Sequence, residues 1–300
     1  MIQGSIVAIV TPMRANGAVD FDALDRLIEW HVESGTNGIV AVGTTGESPT
    51  LTVEEHLEVI KYCITRAGGR IPVLAGTGSN STAEAISFSA ESAANGADAC
   101  LLVTPYYNKP SQEGLYQHFR AIAEAVDIPH VLYNVPGRTA CTLELETTRR
   151  LAAIPNIVGI KEATGKVETG LRLIEEFGDS FAVYGGDDNI ALALMLRGGR
   201  GTVSVTANVA PALMSRICRA ALEGNEEEAK TLNERLMPLH ANLFLEANPV
   251  PVKWALREMG MIESGIRLPL VELNYAYHDK VRQALRFAGI ELTSAGAVAG

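Results

Sequence analysis

The chain has little of what marks several classes of protein. Its four cysteines stand far apart and form no C-x-x-C pair, so the sequence indicates neither a disulfide framework nor a zinc site. Its six histidines form no metal-binding motif. Basic residues number 25 against 35 acidic ones, for a net charge of −10, which leaves no basic surface for nucleic acid. We therefore expect reduced cysteines, no metal, no cofactor and no nucleic-acid partner.

Long hydrophobic runs are also missing. Met1 leads into the apolar segment 6–10 without a basic region, and that segment is too short for a signal peptide or a membrane span. The sequence therefore predicts a cytoplasmic protein with no membrane partner. Its 300 residues are 47% hydrophobic and 20% charged, which suits one barrel domain with a large core.

Short β-branched apolar runs alternate with amphipathic helical stretches such as 51–67, 82–95 and 113–126. This alternation predicts βαβ units and a parallel sheet. The runs are 5–11, 38–43, 71–76, 99–105, 130–136, 157–163, 181–186 and 201–208. A doubly wound sheet would carry a glycine fingerprint after its first strand, but this strand ends in Thr11-Pro12. The pattern therefore favours an α/β protein with a closed (β/α)8 TIM barrel.

The strand pattern stops at about residue 225. Beyond it, the amphipathic segments 226–244, 249–259 and 270–287 predict added helices, and the small residues 293–300 predict a frayed end. No low-complexity linker separates the two parts. We therefore predict a (β/α)8 barrel over residues 1–224 and a C-terminal helical region over residues 225–300 packed on it.

Active sites of such barrels lie at the carboxyl ends of the strands, so polar residues that close the apolar runs are candidates. These residues are Thr44, Thr45, Tyr106, Tyr107, Tyr133, Arg138, Lys161, Gly185, Gly186, Asp187 and Asp188. The two adjacent aspartates argue against a phosphorylated substrate, because barrels that bind phosphate after strand seven place backbone donors there without adjacent acids. The strand ends lack other paired carboxylates, which argues against a divalent-metal aldolase.

Lys161 lies inside an apolar strand pattern, I-V-G-I-K-E-A, where an ammonium has to be buried or paired. Burial disfavours the charged form and so favours a neutral amine that can attack a carbonyl. The alternative is a structural ion pair with Glu162 or with a carboxylate of a neighbouring strand. Glu162 is a poor partner, because adjacent residues of a strand point to opposite faces. The position favours the nucleophile and leaves the ion pair open.

Tyr133 closes strand five as Lys161 closes strand six. Neighbouring strands lie about 4.8 Å apart, so the phenol and the amine can approach each other. Schiff-base chemistry needs a hydroxyl that moves protons, and Thr44 and Tyr107 could complete a relay. A core tyrosine with a satisfied hydroxyl is the alternative.

Two loops offer groups that bind carboxylates. The loop G-T-T-G-E at 43–47 supplies hydroxyls and amides, although it is equally compatible with a turn in which Thr45 or Ser48 caps the next helix. Arg138, in P-G-R-T, can grip a carboxylate bidentately. The alternative for Arg138 is a solvated surface side chain.

Several motifs now point to a known family. They are G-T-T-G-E at 43–47, T-P-Y-Y-N-K-P at 104–110, Y-N-V-P-G-R-T at 133–139, G-I-K-E-A at 159–163, V-S-V-T-A-N at 203–208 and N-P-V-P-V-K-W at 248–254. Together, in order and spacing, they strongly resemble the dihydrodipicolinate synthases over essentially the whole chain. The K-E motif alone would indicate only the wider superfamily of pyruvate-dependent lyases and synthases. The P-G-R-T loop narrows the resemblance, because the sialic acid lyases lack the corresponding arginine.

The resemblance implies condensation of pyruvate with L-aspartate 4-semialdehyde to 4-hydroxy-tetrahydrodipicolinate, at the entry to diaminopimelate and lysine synthesis. Lys161 would form the imine with pyruvate. Tyr133, Thr44 and Tyr107 would form the proton relay, with Tyr107 reaching in from a neighbouring subunit of a homotetramer. The substrate-binding residues would be Thr45 and the backbone at Val203 for pyruvate, Arg138 for the semialdehyde carboxylate, and Gly186.

The family also has members that L-lysine inhibits at a subunit interface. The residues that match the usual effector positions are Ser48, His56, Asn80, Glu84 and Tyr106. Pro49 and Val53 stand where the commonest pattern has a small residue and often a second histidine. We predict weak to moderate inhibition, because Glu84 and Asn80 can still meet the ammonium of the effector.

Two other functions compete with this one. Another class I lyase of the superfamily would cleave a 2-keto-3-deoxy sugar acid or a sialic acid, and Arg138 favours the synthase over it. A non-catalytic barrel could bind a keto acid as a sensor or a transporter partner. Its expected mark would be loss of Lys161 or Tyr133, and both are present.

Overall fold

The computed structural model describes residues 2–293. Within them, eight parallel strands pair in chain order and close into one barrel, with β8 beside β1. The strands are β1 (Gly4–Ala8), β2 (Gly38–Ala41), β3 (Val73–Gly76), β4 (Ala99–Val103), β5 (His130–Asn134), β6 (Ile157–Glu162), β7 (Ala182–Gly185) and β8 (Gly201–Ser204). The predicted (β/α)8 barrel is therefore confirmed.

Helices fill the connections between the strands and continue beyond β8. Those of the barrel are α1 (Phe21–Glu33), α2 (Val53–Ala67), α3 (Thr82–Ala94), α4 (Gln112–Ala125), α5 (Pro136–Thr139), α6 (Leu145–Ala152), α7 (Val167–Phe177), α8 (Asp188–Met195) and α9 (Pro211–Leu222). Those that follow are α10 (Glu226–Glu234), α11 (Met237–Asn242), α12 (Val250–Glu258) and α13 (His278–Phe287). C-terminal helices therefore extend the barrel, as predicted.

Every predicted strand except the third runs too far at its carboxyl end. β1 ends at Ala8 rather than at Thr11, although Ile9 and Val10 are at most 1% exposed. These two side chains join the apolar cluster that also contains Val252 of α12. Hydrophobicity therefore continues beyond the strand into a buried loop, and it does not mark where the strand ends.

Two predicted C-terminal helices are wrong in their bounds. The segment 226–244 forms two helices, because Pro238 lacks an N–H and lies in the first turn of α11. The segment 270–287 becomes α-helical only at His278. A short 3-10 turn precedes it, begun by Asn274, whose side chain accepts the N–H of Ala276 at 2.9 Å.

The interior of the barrel is filled by side chains rather than open. Ile6, Val40, Leu74, Leu101 and Val203 are all at most 4% exposed and belong to one buried cluster. A second cluster joins the outside of the barrel to α10–α13, so the two parts share a core. Because side chains fill the interior, a binding site can form only at the carboxyl ends of the strands, at the mouth of the barrel. The division of the chain at residue 224 stays a prediction.

Four further sequence predictions concern the whole chain. Within residues 2–293 the cysteines Cys63, Cys100, Cys141 and Cys218 are free thiols. In the same range no helix combines the length and apolar character that crossing a bilayer requires. The predicted frayed end falls almost wholly on residues 294–300, which lie outside the described residues. Cytoplasmic localisation stays a prediction.

Candidate active site

Lys161 lies on β6 between two tyrosines. Its Cα is in register with Tyr133 of β5 on one side and with Tyr184 of β7 on the other. The Lys161 Nζ lies 4.1 Å from the centroid of the Tyr133 ring, and Lys161 is only 6% exposed. The approach of amine and phenol that the strand ends predicted is therefore confirmed.

Glu162 does not pair with Lys161. It points to the opposite face of the sheet, where its carboxylate accepts the Asn134 Nδ2–H at 2.9 Å and the Thr164 N–H at 2.7 Å. Burial raises the pKa of Glu162, and these two hydrogen bonds oppose that rise. The alternative of a structural ion pair between Lys161 and Glu162 is therefore wrong.

The charged neighbour of Lys161 is Asp187, at the carboxyl end of β7. Burial raises the pKa of the half-buried Asp187 carboxyl, whereas the N–H of Gly165 and the charge of Lys161 lower it. Asp188 instead faces away, and its Oδ2 accepts the N–H of Val205 at 3.0 Å. Only one of the two predicted aspartates therefore faces the site.

A cavity of about 60 Å³ opens above Lys161 at the mouth of the barrel. Its lining contains these residues predicted from sequence: Lys161, Tyr133, Thr44, Thr45, Arg138 and Gly186. Asp187, Phe244 and Asn248 also line it. Val203 is 1% exposed inside the barrel, in register with Ile6, and Val205 lines the cavity from the segment after β8.

The loop after β2 carries Thr44 and Thr45 in a strained backbone. Thr44–Gly46 forms a 3-10 turn, and the non-glycine residues Val42 and Glu47 on either side have φ of 55° and 58°. Left-handed backbone is unusual for a β-branched residue and persists where surrounding structure holds it. The cap of α2 is Thr52, so the alternative in which Thr45 or Ser48 merely caps this helix is wrong.

Arg138 lies in the single turn of α5 at the edge of the cavity. Its side chain is exposed, and Nη2 donates a hydrogen bond to the carbonyl oxygen of Asn248 at 3.2 Å. The Asn248 Nδ2 in turn donates to the Thr45 Oγ1 at 2.9 Å. Asn248 therefore connects two residues that the sequence assigned to separate loops.

Gly186 allows Lys161 to reach the cavity. A Cβ at residue 186 would lie 2.6 Å from the Ala163 Cβ, 2.9 Å from the Glu162 carbonyl oxygen and 3.1 Å from the Lys161 Cε. These distances are shorter than ordinary van der Waals contact. The absence of a side chain at 186 therefore leaves space for the lysine stem.

Tyr107 is not brought to Lys161 within this chain. Its side chain is 90% exposed, and its φ of 75° turns the backbone of the loop after β4 outward. Neither the cavity above Lys161 nor its neighbour includes Tyr107 in its lining. Tyr107 therefore stands apart from the other catalytic candidates in the described part of the chain.

A second cavity, of about 410 Å³, lies beside the first. Its lining contains the effector candidates Ser48, His56, Glu84 and Tyr106, together with Pro49 and Val53, which depart from the usual pattern. Asn80 is not in the lining, but its Nδ2 donates to the Tyr106 carbonyl oxygen at 3.1 Å. Burial lowers the pKa of His56, whose ring stacks on Phe88 with centroids 4.4 Å apart. Thr44 and Arg138 line both cavities, so these form a shared wall.

Sequence reasoning missed Phe244, Asn248 and Lys253 at this end of the barrel. Asn248 and Lys253 fall in the motif N-P-V-P-V-K-W, which was a signal of resemblance without an assigned role. Lys253 is 4% exposed on α12 and pairs with Glu47 of the catalytic loop. A buried lysine within an apolar helix was the signal that could have found this contact.

A closed parallel barrel with a buried lysine and an adjacent tyrosine at its mouth defines a lyase of the class I aldolase type. A model of the dihydrodipicolinate synthetase family matches residues 1–288. The chain belongs to this family.

Curated relatives cover nearly the full chain. The 4-hydroxy-tetrahydrodipicolinate synthase of Stutzerimonas stutzeri is 59% identical over 290 residues, which are 97% of this chain and 99% of the relative. That of Marinobacter nauticus is 61% identical over 291 residues, which are 97% of this chain and 100% of the relative. The predicted family resemblance is therefore confirmed.

Solved structures agree in fold. The chloride-inhibited dihydrodipicolinate synthase of Acinetobacter baumannii, complexed with pyruvate, matches with a TM-score of 0.96 at 59% identity, covering 97% of this chain and 100% of that one. The enzyme of Cyanidioschyzon merolae with lysine bound matches with a TM-score of 0.93 at 42% identity, covering 97% and 99%.

Proposed function

We propose that the chain condenses pyruvate with L-aspartate 4-semialdehyde, the reaction of a 4-hydroxy-tetrahydrodipicolinate synthase, in the cytoplasm. The observation that carries the proposal is the buried Lys161 Nζ, 4.1 Å from the Tyr133 ring centroid, in a cavity that also presents Thr45 and Arg138. The relative in complex with pyruvate supports the choice of the first substrate.

The chemistry begins at the Lys161 amine. It attacks the keto carbon of pyruvate, and loss of water from the carbinolamine leaves an imine. Loss of a methyl proton gives an enamine, whose carbon attacks the aldehyde carbon of the second substrate. The amino group of that substrate then attacks the imine carbon, which closes the ring and releases Lys161. Each step moves a proton, so a positioned hydroxyl accelerates it.

The Tyr133 ring lies beside the reacting amine, and Thr44 lines the same cavity. We assign the proton relay to these two residues and to Tyr107 of a neighbouring subunit. A tyrosine that is 90% exposed in one chain is free to enter the site of a second copy. This assignment needs at least two copies of the chain, and the family resemblance leads us to propose a homotetramer.

The carboxylates of the substrates need donors. Thr45 and the backbone at Val203 are assigned to pyruvate, with Gly186 giving close access to Lys161. Arg138 is assigned to the carboxylate of the semialdehyde, because a guanidinium can bind a carboxylate bidentately. Arg138 also distinguishes this reaction from cleavage of a sugar acid.

Trapping with borohydride tests the proposal. Incubation with pyruvate and borohydride is expected to give a stable adduct on Lys161, detected by mass analysis of peptides. The adduct is expected to vanish in Lys161→Ala, whereas Lys166→Ala, at an exposed lysine nearby, keeps it. An adduct on another residue, or none, would contradict the Schiff-base mechanism.

A substrate comparison separates the synthase from its rivals. The wild-type protein is expected to turn over pyruvate with L-aspartate 4-semialdehyde and not to cleave a 2-keto-3-deoxy sugar acid or a sialic acid. Faster cleavage of either acid would assign the chain to another class I lyase. Binding of pyruvate without turnover of any of these substrates would favour a non-catalytic barrel.

L-Lysine is proposed to bind in the second cavity and to inhibit weakly to moderately. Glu84 lies there with Ser48 and His56, and the carboxylate suits the side-chain ammonium of the effector. Val53, which is 50% exposed, supplies no hydrogen bond where a histidine would, and this limits the affinity. The relative with lysine bound supports the choice of effector.

A titration checks the lysine site. Millimolar L-lysine is expected to lower the rate of the wild type, and Glu84→Gln is expected to weaken this inhibition about tenfold, through loss of a charge-assisted hydrogen bond. L-Norleucine, which lacks the side-chain ammonium, is the control ligand and is expected not to inhibit. An unchanged rate at millimolar L-lysine would remove the proposal.

A further inference from the structure

The loop after β2, residues 42–50, has a strained backbone. Val42 and Glu47 both lie in the left-handed region, with φ of 55° and 58°, although neither is glycine. Non-glycine residues keep such a backbone where their surroundings fix it. The residues between them include Thr44 and Thr45, which line the cavity above Lys161. The contacts of Glu47 therefore bear on the geometry of the site.

Glu47 is held by the C-terminal helical region. Its Oε1 pairs with the Lys253 Nζ of α12, across 206 residues of sequence, and the two side chains are 1% and 5% exposed. Its Oε2 accepts the backbone N–H of Arg267 at 3.3 Å. Burial lowers the pKa of Lys253, and the Glu47 carboxylate opposes this shift. Both oxygens of the carboxylate thus bind groups from outside the barrel.

Two further contacts reach the same loop from the same region. Asn248 donates from Nδ2 to the Thr45 Oγ1 at 2.9 Å. The Arg267 guanidinium donates to the Thr50 carbonyl oxygen at 2.7 Å and to both carboxylate oxygens of Glu55 at 2.6 Å. Residues beyond 247 therefore hold this loop at Thr45, at Glu47 and at Thr50.

We infer that Lys253 is a positioning residue for the active site, which holds Thr44 and Thr45 in place through its buried ion pair with Glu47. The inference rests on the proposed function. A shift of about 1 Å in a group that orients substrate can reduce the rate about 100-fold, so a fixed loop matters for binding and turnover. A buried ion pair is weak evidence for stability, because apolar replacements of both partners are often neutral. The effect of the ion pair on protein stability can therefore be measured separately from its effect on the position of the loop.

The test compares single and double replacements of the pair. Lys253→Met and Glu47→Gln are each expected to lower Tm, because each removes a partner from a buried group. The double variant leaves neither charge buried without its partner and is expected to recover part of the lost Tm, because the new amide at residue 47 still has one polar group facing the methionine side chain. Its KM for pyruvate is expected to stay raised about tenfold, and its borohydride-trapped adduct to form correspondingly more slowly, since the ion pair no longer holds residue 47 in place.

Lys230→Met is the matched control. Lys230 pairs with Glu226 at the surface, where the side chains are 59% and 57% exposed, and this variant is expected to keep the wild-type Tm and pyruvate KM. A double variant whose KM returns to the wild-type value together with its Tm would show that Lys253 acts through stability alone and would overturn the inference.

The double variant could fail to fold, and the wild type could fail to form the pyruvate adduct. If the double variant gives no cooperative melting, Glu47→Gln alone decides, because its amide still accepts the Arg267 N–H and the buried amine can lose its proton. A raised pyruvate KM in folded Glu47→Gln supports the inference, and an unchanged KM overturns it. A wild-type protein that forms no pyruvate adduct would instead overturn the proposed function itself.

Discussion

Tyr133→Phe is expected to reduce turnover about 100- to 1,000-fold while the fold is kept. A positioned general acid or base contributes about 10²- to 10⁴-fold, and Tyr133 is the phenol beside the Lys161 amine. The phenylalanine ring fills nearly the same volume in a position that is 7% exposed, so packing is preserved. Steady-state kinetics together with thermal melting measure the two effects separately.

Tyr184→Phe is the control that the barrel itself provides. Tyr184 is in register with Lys161 on the opposite side, but its hydroxyl donates to the Ile2 carbonyl oxygen at 2.7 Å, away from the mouth. Burial raises the pKa of this phenol to about 12. The variant is expected to lose about 1–3 kcal/mol of stability and to keep its turnover. Near-normal turnover in Tyr133→Phe would exclude Tyr133 from the relay.

Gly186→Ala is expected to lower kcat/KM about 100-fold. The added methyl would lie 3.1 Å from the Lys161 Cε and 2.6 Å from the Ala163 Cβ, so the lysine stem has to move. A displacement of about 1 Å at a reacting group is enough for a loss of this size. The yield of borohydride-trapped adduct on Lys161 is expected to fall in parallel, which locates the effect at imine formation.

Gly137→Ala makes the same chemical change in the loop that carries Arg138. A Cβ at residue 137 would meet no atom within 4 Å, and its backbone is helical, so this variant is expected to keep wild-type kinetics and Tm. Wild-type activity in Gly186→Ala would mean that Lys161 does not need the space at residue 186. If Gly186→Ala shows no melting transition, the added methyl group prevents folding, and the loss of activity is not specific to Lys161.

Local sequence patterns were enough to predict most of the fold. The number of strands and their helical connections follow from short β-branched apolar runs alternating with amphipathic helical stretches, and these patterns need no knowledge of distant contacts. The ends of the strands could not be predicted in this way. Ile9 and Val10 remain buried after β1 has ended, because they belong to the large apolar cluster that also contains residues of the C-terminal helices.

Some residues of the candidate site could be predicted from local sequence patterns, and others could not. Lys161 stood out because a charged residue in an apolar strand is unusual, and the period of two placed Glu162 on the opposite face, as its contact with Asn134 bears out. Asn248 and Lys253 could not be assigned, because their partners Thr45 and Glu47 are about 200 residues away in the sequence.

The sequence by itself therefore determined the barrel, its family and the lysine at the end of β6. Only the tertiary structure decided which side chains surround that lysine: Asp187 faces it and Asp188 does not, Tyr107 points outward, and the C-terminal region fixes the loop of Thr44 and Thr45. The physical reason is that periodicity records which face a residue occupies, whereas closure of the barrel and packing of the last helices determine what that face meets.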